Sequence, residues 1–77
     1  MNKARRKELN KALELLAQAR EIIEAVQEEE QESFDNMPEG LQVSELGEKI
    51  EENAYTLEDI ASTVEDVEGQ IDELING

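Results

Sequence analysis

The sequence predicts an all-α protein: an antiparallel two-helix hairpin of coiled-coil type, dimerising into a four-helix bundle. Three observations carry this expectation. From Leu46 to Leu74, steps of four and three visit Leu46, Ile50, Asn53, Leu57, Ile60, Val64, Val67, Ile71 and Leu74, and all but Asn53 are apolar. A second seam with the same spacing occupies the N-terminal half. Between the two lies the one strong cluster of turn residues in the chain. Apolar residues at this spacing form a stripe along one helix, and such a stripe needs another helix to cover it.

The first helix is expected over residues 3–32. Its seam is Leu9, Ala12, Leu16, Ala19, Ile23, Val26 and then Glu30. The segment contains no Gly or Pro and is dominated by good helix formers. Leu13, Leu15 and Ile22 lie beside the seam, so the stripe is wider than a two-stranded contact requires. A wide stripe implies burial against more than one neighbour. The charges oppose the helix dipole. Cations crowd the N-terminus, and Glu28, Glu29, Glu30 and Glu32 crowd the C-terminus.

The loop is expected over residues 33–43, beginning Ser33-Phe34-Asp35-Asn36-Met37-Pro38-Glu39-Gly40 and continuing to Val43. Asp-Asn followed by Pro and Gly is strong turn chemistry. Pro38 ends any continuous helix, and it also suits the first position of a short helical turn through Leu41 and Val43. Phe34, Met37, Leu41 and Val43 are expected to plug the end of the core.

The second helix is expected over residues 44–75, with Ser44 as its cap and Glu45 in the first turn. Gly47 weakens that turn. Gly69 lowers helix stability by about 1 kcal/mol relative to Ala, or else marks a close approach of another helix. An antiparallel hairpin centred on Pro38 pairs Val26 with Ile50, Ile23 with Asn53, Ala19 with Leu57, Leu16 with Ile60, Ala12 with Val64 and Leu9 with Val67. It also brings Arg5, Arg6 and Lys7 beside Glu68, Asp72 and Glu73. Asn53 admits two readings: a polar seam residue that fixes register and oligomeric state, or a partly exposed one. The full core and oligomer seam comprises Leu9, Leu13, Leu16, Ile22, Ile23, Val26, Ile50, Asn53, Leu57, Ile60, Val64, Val67, Ile71 and Leu74.

Seventy-seven residues allow one small domain whose core alone is marginal. There is no cysteine for a disulfide and no histidine or cysteine for a zinc site. Self-association is the expected remaining source of stability. The net charge is −14. Residues 1–20 hold six bases and two acids; residues 21–77 hold nineteen acids and Lys49 alone. Such a surface disfavours direct contact with nucleic acid or anionic membrane and favours basic protein surfaces. The alternative reading is a solvated, self-repelling coat that only keeps the protein soluble. No apolar run approaches the roughly 18 residues of a membrane span, and no signal peptide is evident. A cytoplasmic location is expected.

No catalytic or cofactor-binding residue is expected, nor any metal ligand. The loop lacks the alternating Asp pattern and terminal Glu of a calcium loop. Di-metal sites in four-helix bundles use Glu-x-x-His, and histidine is absent. General acid–base work needs a desolvated carboxylate, whereas these acids fall on solvent faces. No Ser-His-Asp or Cys-His set and no phosphate-binding glycine loop occurs. Phe34 and Tyr55 are too few for a base-stacking surface.

One stretch resembles a known group. Lys-Ala-Leu-Glu-Leu-Leu in the first helix, Glu-Glu-Gln-Glu-Ser-Phe-Asp-Asn-Met-Pro-Glu-Gly-Leu-Gln at the loop and Ser-Glu-Leu-Gly-Glu-Lys-Ile-Glu-Glu-Asn after it span residues 7–54. They are similar to a group of small, acidic, uncharacterised helical proteins of bacteria and their phages. The loop segment is the specific part. The resemblance implies a phage or prophage setting and assigns no residue roles.

The function expected from these features is a non-enzymatic, acidic protein-binding module that inhibits or modulates a host or defence protein. Its acidic surface would comprise Glu28, Glu29, Glu32, Asp35, Glu39, Glu48, Glu51, Glu52, Glu58 and Asp59. Carboxylates there would stand in for nucleic-acid phosphates toward a bacterial protein with a basic surface. The competing expectation is a homo-oligomeric structural or assembly helper whose acidity serves only solubility. The expected partners are thus a second copy of the chain and a basic protein.

Overall fold

A computed structural model describes all 77 residues. Its elements are α1 (Lys3–Asp35), α2 (Glu39–Gln42) and α3 (Glu45–Asn76). There are no strands, and the two long helices pack on each other as a hairpin. The result is a rod of 58 × 15 × 13 Å. No helix is long and apolar enough to cross a membrane.

The helix ends follow from their local chemistry. Asn2 caps α1: its side-chain oxygen accepts a hydrogen bond from the Arg5 amide at 2.8 Å. α1 continues to Asp35, three residues beyond the expected end at residue 32. Pro38 stops it and caps α2, whose single turn occupies the last part of the expected loop. Ser44 caps α3, its Oγ accepting from the Gly47 amide at 3.3 Å while its hydroxyl donates to the Leu41 carbonyl.

Gly47 has a role beyond weakening a turn. It is one of three buried residues. A Cβ there would press on the Leu41 carbonyl oxygen and come within 2.5 Å of that of Gln42. The first turn of α3 is packed directly against the backbone of α2, and only a residue without a side chain permits it. Gly69 differs: an added Cβ meets nothing within 4 Å. No helix approaches there.

The seam departs from expectation. On α1 the side chains turned toward α3 are Leu9, Leu13, Leu16, Arg20, Ile23, Gln27, Glu30 and Phe34, all partly covered. On α3 they are Gly47, Ile50, Ala54, Leu57, Ala61, Val64, Glu68, Ile71 and Ile75. Leu9, Leu16, Ile23, Ile50, Leu57, Val64 and Ile71 keep their expected inward places. Both helices are nevertheless rotated about their axes. Leu13 keeps its place in the expected core seam, Arg20 and Gln27 replace Ala19 and Val26, and the row of Gly47, Ala54 and Ala61 replaces Leu46, Asn53 and Ile60. The reason is steric. Ala54 is 1 % and Ala61 8 % exposed, so the helices meet across small side chains that let the backbones come close. No large side chain is fully buried.

The register is corrected as well. The expected alignment sets Arg20 opposite Thr56, yet Arg20 pairs with Glu68. It sets Glu30 opposite Leu46, yet Glu30 accepts from Asn53. α3 is displaced by between one and two heptads. The extra turn α2 and the seating of Gly47 against it move the effective centre of the hairpin past Pro38. As a consequence, Arg5, Arg6 and Lys7 do not reach Glu68, Asp72 and Glu73; none of the three forms an ion pair. Residues 1–8 are all exposed, and Leu9 is the first residue of α1 to be covered. The basic start of α1 projects beyond the end of α3.

Candidate binding surfaces

The hairpin has two unlike faces. Ala12, Leu15, Ala19, Ile22 and Val26 succeed one another at helical spacing on one side of the α1 seam. Leu46, Asn53, Ile60, Val67 and Leu74 occupy the equivalent row on α3. Because the helices run antiparallel, equivalent rows fall on the same side of the hairpin. Val26, Asn53 and Thr56 accordingly share a shallow groove with Glu30 and Leu57. The large apolar members are open to solvent: Leu15 is 65 %, Ile22 66 %, Leu46 61 % and Leu74 56 % exposed. The sequence places Ile22, Val26, Ile60, Val67 and Leu74 in the seam, whereas all five lie on this outer stripe. Leu13, Ala61, Ile71 and Ile75 serve the contact within the hairpin.

Asn53 belongs to the stripe rather than to the centre of the helix contact. It is half-buried, and its Nδ2 donates to Glu30 Oε2 at 3.4 Å. It does not face Ile23 across the seam, because the shifted register sets it level with Glu30 and the rotation that brings Ala54 inward carries it to the edge.

The opposite side is polar and acidic. One open groove there is lined by Leu13, Glu14, Ala17, Arg20, Glu65, Glu68, Gly69 and Asp72. Another is lined by Glu24, Gln27, Glu58, Ala61, Ser62 and Glu65. Arg20 organises this face. Its Nε donates to Glu68 Oε2 at 2.7 Å, and its Nη1 donates to Glu24 Oε1 at 2.8 Å. Hydrogen bonds to Glu68 and then Glu24 hold the guanidinium pKa above its already high ordinary value. Arg20 therefore stays charged at every pH the fold would meet. No sequence pattern singles it out, although an arginine and a glutamate each interrupting an inward row signal a cross-helix pair.

Few of the carboxylates are used internally. The chain has 21 acids, and only Glu8, Glu24 and Glu68 form ion pairs, which leaves eighteen without a cation. Of the expected acidic surface, Glu28, Glu29, Glu32, Asp35, Glu39, Glu48, Glu52, Glu58 and Asp59 are exposed and Glu51 is half-buried. Glu58 lines a groove of the acidic face. Glu28, Glu29, Glu32 and Asp35 lie close together on the surface of α1 near its end, with Gln27 and Gln31. No group of three acids is placed to hold a metal ion.

The loop end is only partly a plug. Phe34 and Met37 are half-buried, and Gln42 Nε2 donates to the Phe34 carbonyl at 3.1 Å. Leu41 and Val43 point outward, at 48 % and 78 % exposure. The single turn of α2 turns Leu41 and Val43 away from the core. They form apolar points at an end otherwise dominated by acids.

Comparison of the chain with protein-family models, with curated proteins and with solved structures finds no match.

Proposed function

We propose that this protein is a non-enzymatic binding module that presents a carboxylate-rich helical surface to a basic site on another protein. The observation that supports this reading is the eighteen carboxylates without an internal cation, four of which cluster on the surface of α1 near its end. Clustered like charges destabilise a small fold. They are accounted for if the cluster is met by cations on a partner. Spaced along a rigid helix, carboxylates resemble the phosphates of a nucleic acid, and their field speeds encounter with a basic surface. Leu41 and Val43 at the same end add apolar contact. The setting we infer is a bacterial cell carrying a phage or prophage, with the protein acting as an inhibitor or modulator of a host or defence protein.

A second reading rests on the apolar stripe. Leu15, Ile22, Leu46, Ile60, Val67 and Leu74 form a side that one hairpin leaves open. Two hairpins joined by these sides make a four-helix bundle. The chain would then be a homodimer, either presenting its acids outward or acting only as an assembly helper. Affinity capture from a bacterial lysate over a salt series separates the two functions. Partners released between low and physiological salt support the acidic surface. Capture that ignores salt, or that survives replacing Glu28, Glu29, Glu32 and Asp35 by Gln or Asn, overturns it.

A further inference from the structure

We propose that the apolar stripe is covered by a second copy of this chain running in the opposite direction, so that the basic start of each lies over the acidic loop end of the other. The inference rests on the four-helix-bundle reading and adds its polarity.

The first argument is extent. The stripe runs from Val26 and Leu46 near the loop to Ala12 and Leu74 toward the other end of a rod 58 Å long. The stripe crosses both helices, so a single partner helix would not cover it. A second hairpin with the same stripe does.

The second argument is charge. Lys3, Arg5, Arg6 and Lys7 project past the end of α3, exposed and without ion pairs. Glu29 lies toward the other end of α1 on the stripe side, whereas Glu28, Glu32 and Asp35 face away from the stripe and stay open in the dimer. Copies packed with the same polarity would gather both basic starts at one end of the bundle and both acidic loop ends at the other. Copies packed with opposite polarity neutralise both ends at once, and a two-fold axis across the rod makes the two contacts identical. The heptad rows agree. Arg5 continues the row of Ala12, Ala19 and Val26, and Glu29 continues that of Leu15 and Ile22. Both therefore edge the stripe itself.

The third argument is the helix dipole. The cations at the start of α1 and the acids at its end each sit at the unfavourable terminus of their own helix. Opposed copies of α1 bring each charge cluster to the end of the partner helix that favours it.

The chain has no cysteine, so Ala4→Cys and Gly40→Cys, both at exposed sites, give clean single labels. We expect strong energy transfer when Ala4-labelled chains are mixed with Gly40-labelled chains, and weak transfer between two Ala4 labels. Light scattering on the same samples reads the mass. A dimer with its Ala4 labels together overturns the polarity and leaves the bundle standing. A monomer mass at tens of micromolar overturns both. Arg5→Glu should weaken the dimer about tenfold at low salt. Mixing that chain with a Glu29→Lys chain should recover most of the loss. Unchanged dimerisation by the first variant contradicts the proposed contact.

Discussion

Arg20 and Glu68 lie 48 residues apart in the chain and meet at 2.7 Å across the helix contact. The pair fixes the axial level of α3 against α1, because it allows one alignment and penalises its neighbours. Arg20→Ala should lower the melting temperature, since it leaves the half-buried Glu68 carboxylate without its donor. Replacing both by leucine should restore stability to that of the parent or above, because a packed apolar pair needs no desolvation of charge. Thermal melts of the single and double variants decide it. A double variant no better than Arg20→Ala would show that the pair is needed for more than its own partners. Raising the arginine pKa makes this contribution complete below the unfolded value and lost only when pH climbs through the folded one. Titration of Arg20 therefore produces no stability change between acid and neutral pH.

The two interior glycines of α3 should respond in opposite directions to alanine. Gly69→Ala adds a side chain into open space and should stabilise by up to about 1 kcal/mol through helix propensity and a restricted unfolded chain. Gly47→Ala drives a methyl into the carbonyls of Leu41 and Gln42. It should destabilise by about 1–3 kcal/mol, the usual range for overpacking. Urea melts measure both. A neutral Gly47→Ala would mean that α2 moves aside freely and does not set the register.

Much of the fold is legible in the sequence, and the failures have physical causes. Both long helices, the Ser44 cap and the helix-ending role of Pro38 follow from periodicity and capping chemistry. The rotation of the seam is not legible, because three heptad rows of α3 are rich in apolar residues. Leu46, Ile60 and Val67 are more hydrophobic than Ala54 and Ala61, so hydrophobicity alone points the wrong row inward. What decides is the separation of the helix axes, which a seam of alanines makes small and a seam of leucines would make large. The register is missed for a related reason. Symmetry about Pro38 takes the connection as a featureless turn, whereas α2 and the close seating of Gly47 give it length and direction. The exposure of most of the acids is legible, because it depends little on which inward row is chosen. The apolar stripe beside it emerges only once the rotation is known.

Stability should rise with salt. Residues 21–77 carry nineteen acids against one base, and only three ion pairs oppose the repulsion. Unfolding separates like charges, so screening favours the folded state. The melting temperature should climb as sodium chloride is raised from about 10 to 150 mM, over which the Debye length falls from roughly 30 to 8 Å. A fall over that range would show that the Arg20 network and the proposed contacts between copies outweigh the repulsion.

Asn53 gives the sharpest test of the stripe. It is the one polar residue in the row Leu46, Asn53, Ile60, Val67 and Leu74, and it lies beside Val26 and Leu57. Its hydrogen bond to Glu30, at 3.4 Å, is long and partly open to water, so losing it should matter little to an isolated hairpin. Covered by a second copy, the same amide must be desolvated with only that weak partner. Asn53→Leu should therefore tighten dimerisation and raise the melting temperature more at high protein concentration than at low. It should also relax the alignment between copies, because a continuous apolar row no longer penalises a shifted pairing. Sedimentation would then reveal trimers or larger species beside the dimer. If the gain in melting temperature were independent of concentration and the mass unchanged, Asn53 would be an edge residue of a single hairpin. The stripe would then have to be covered by something other than this chain.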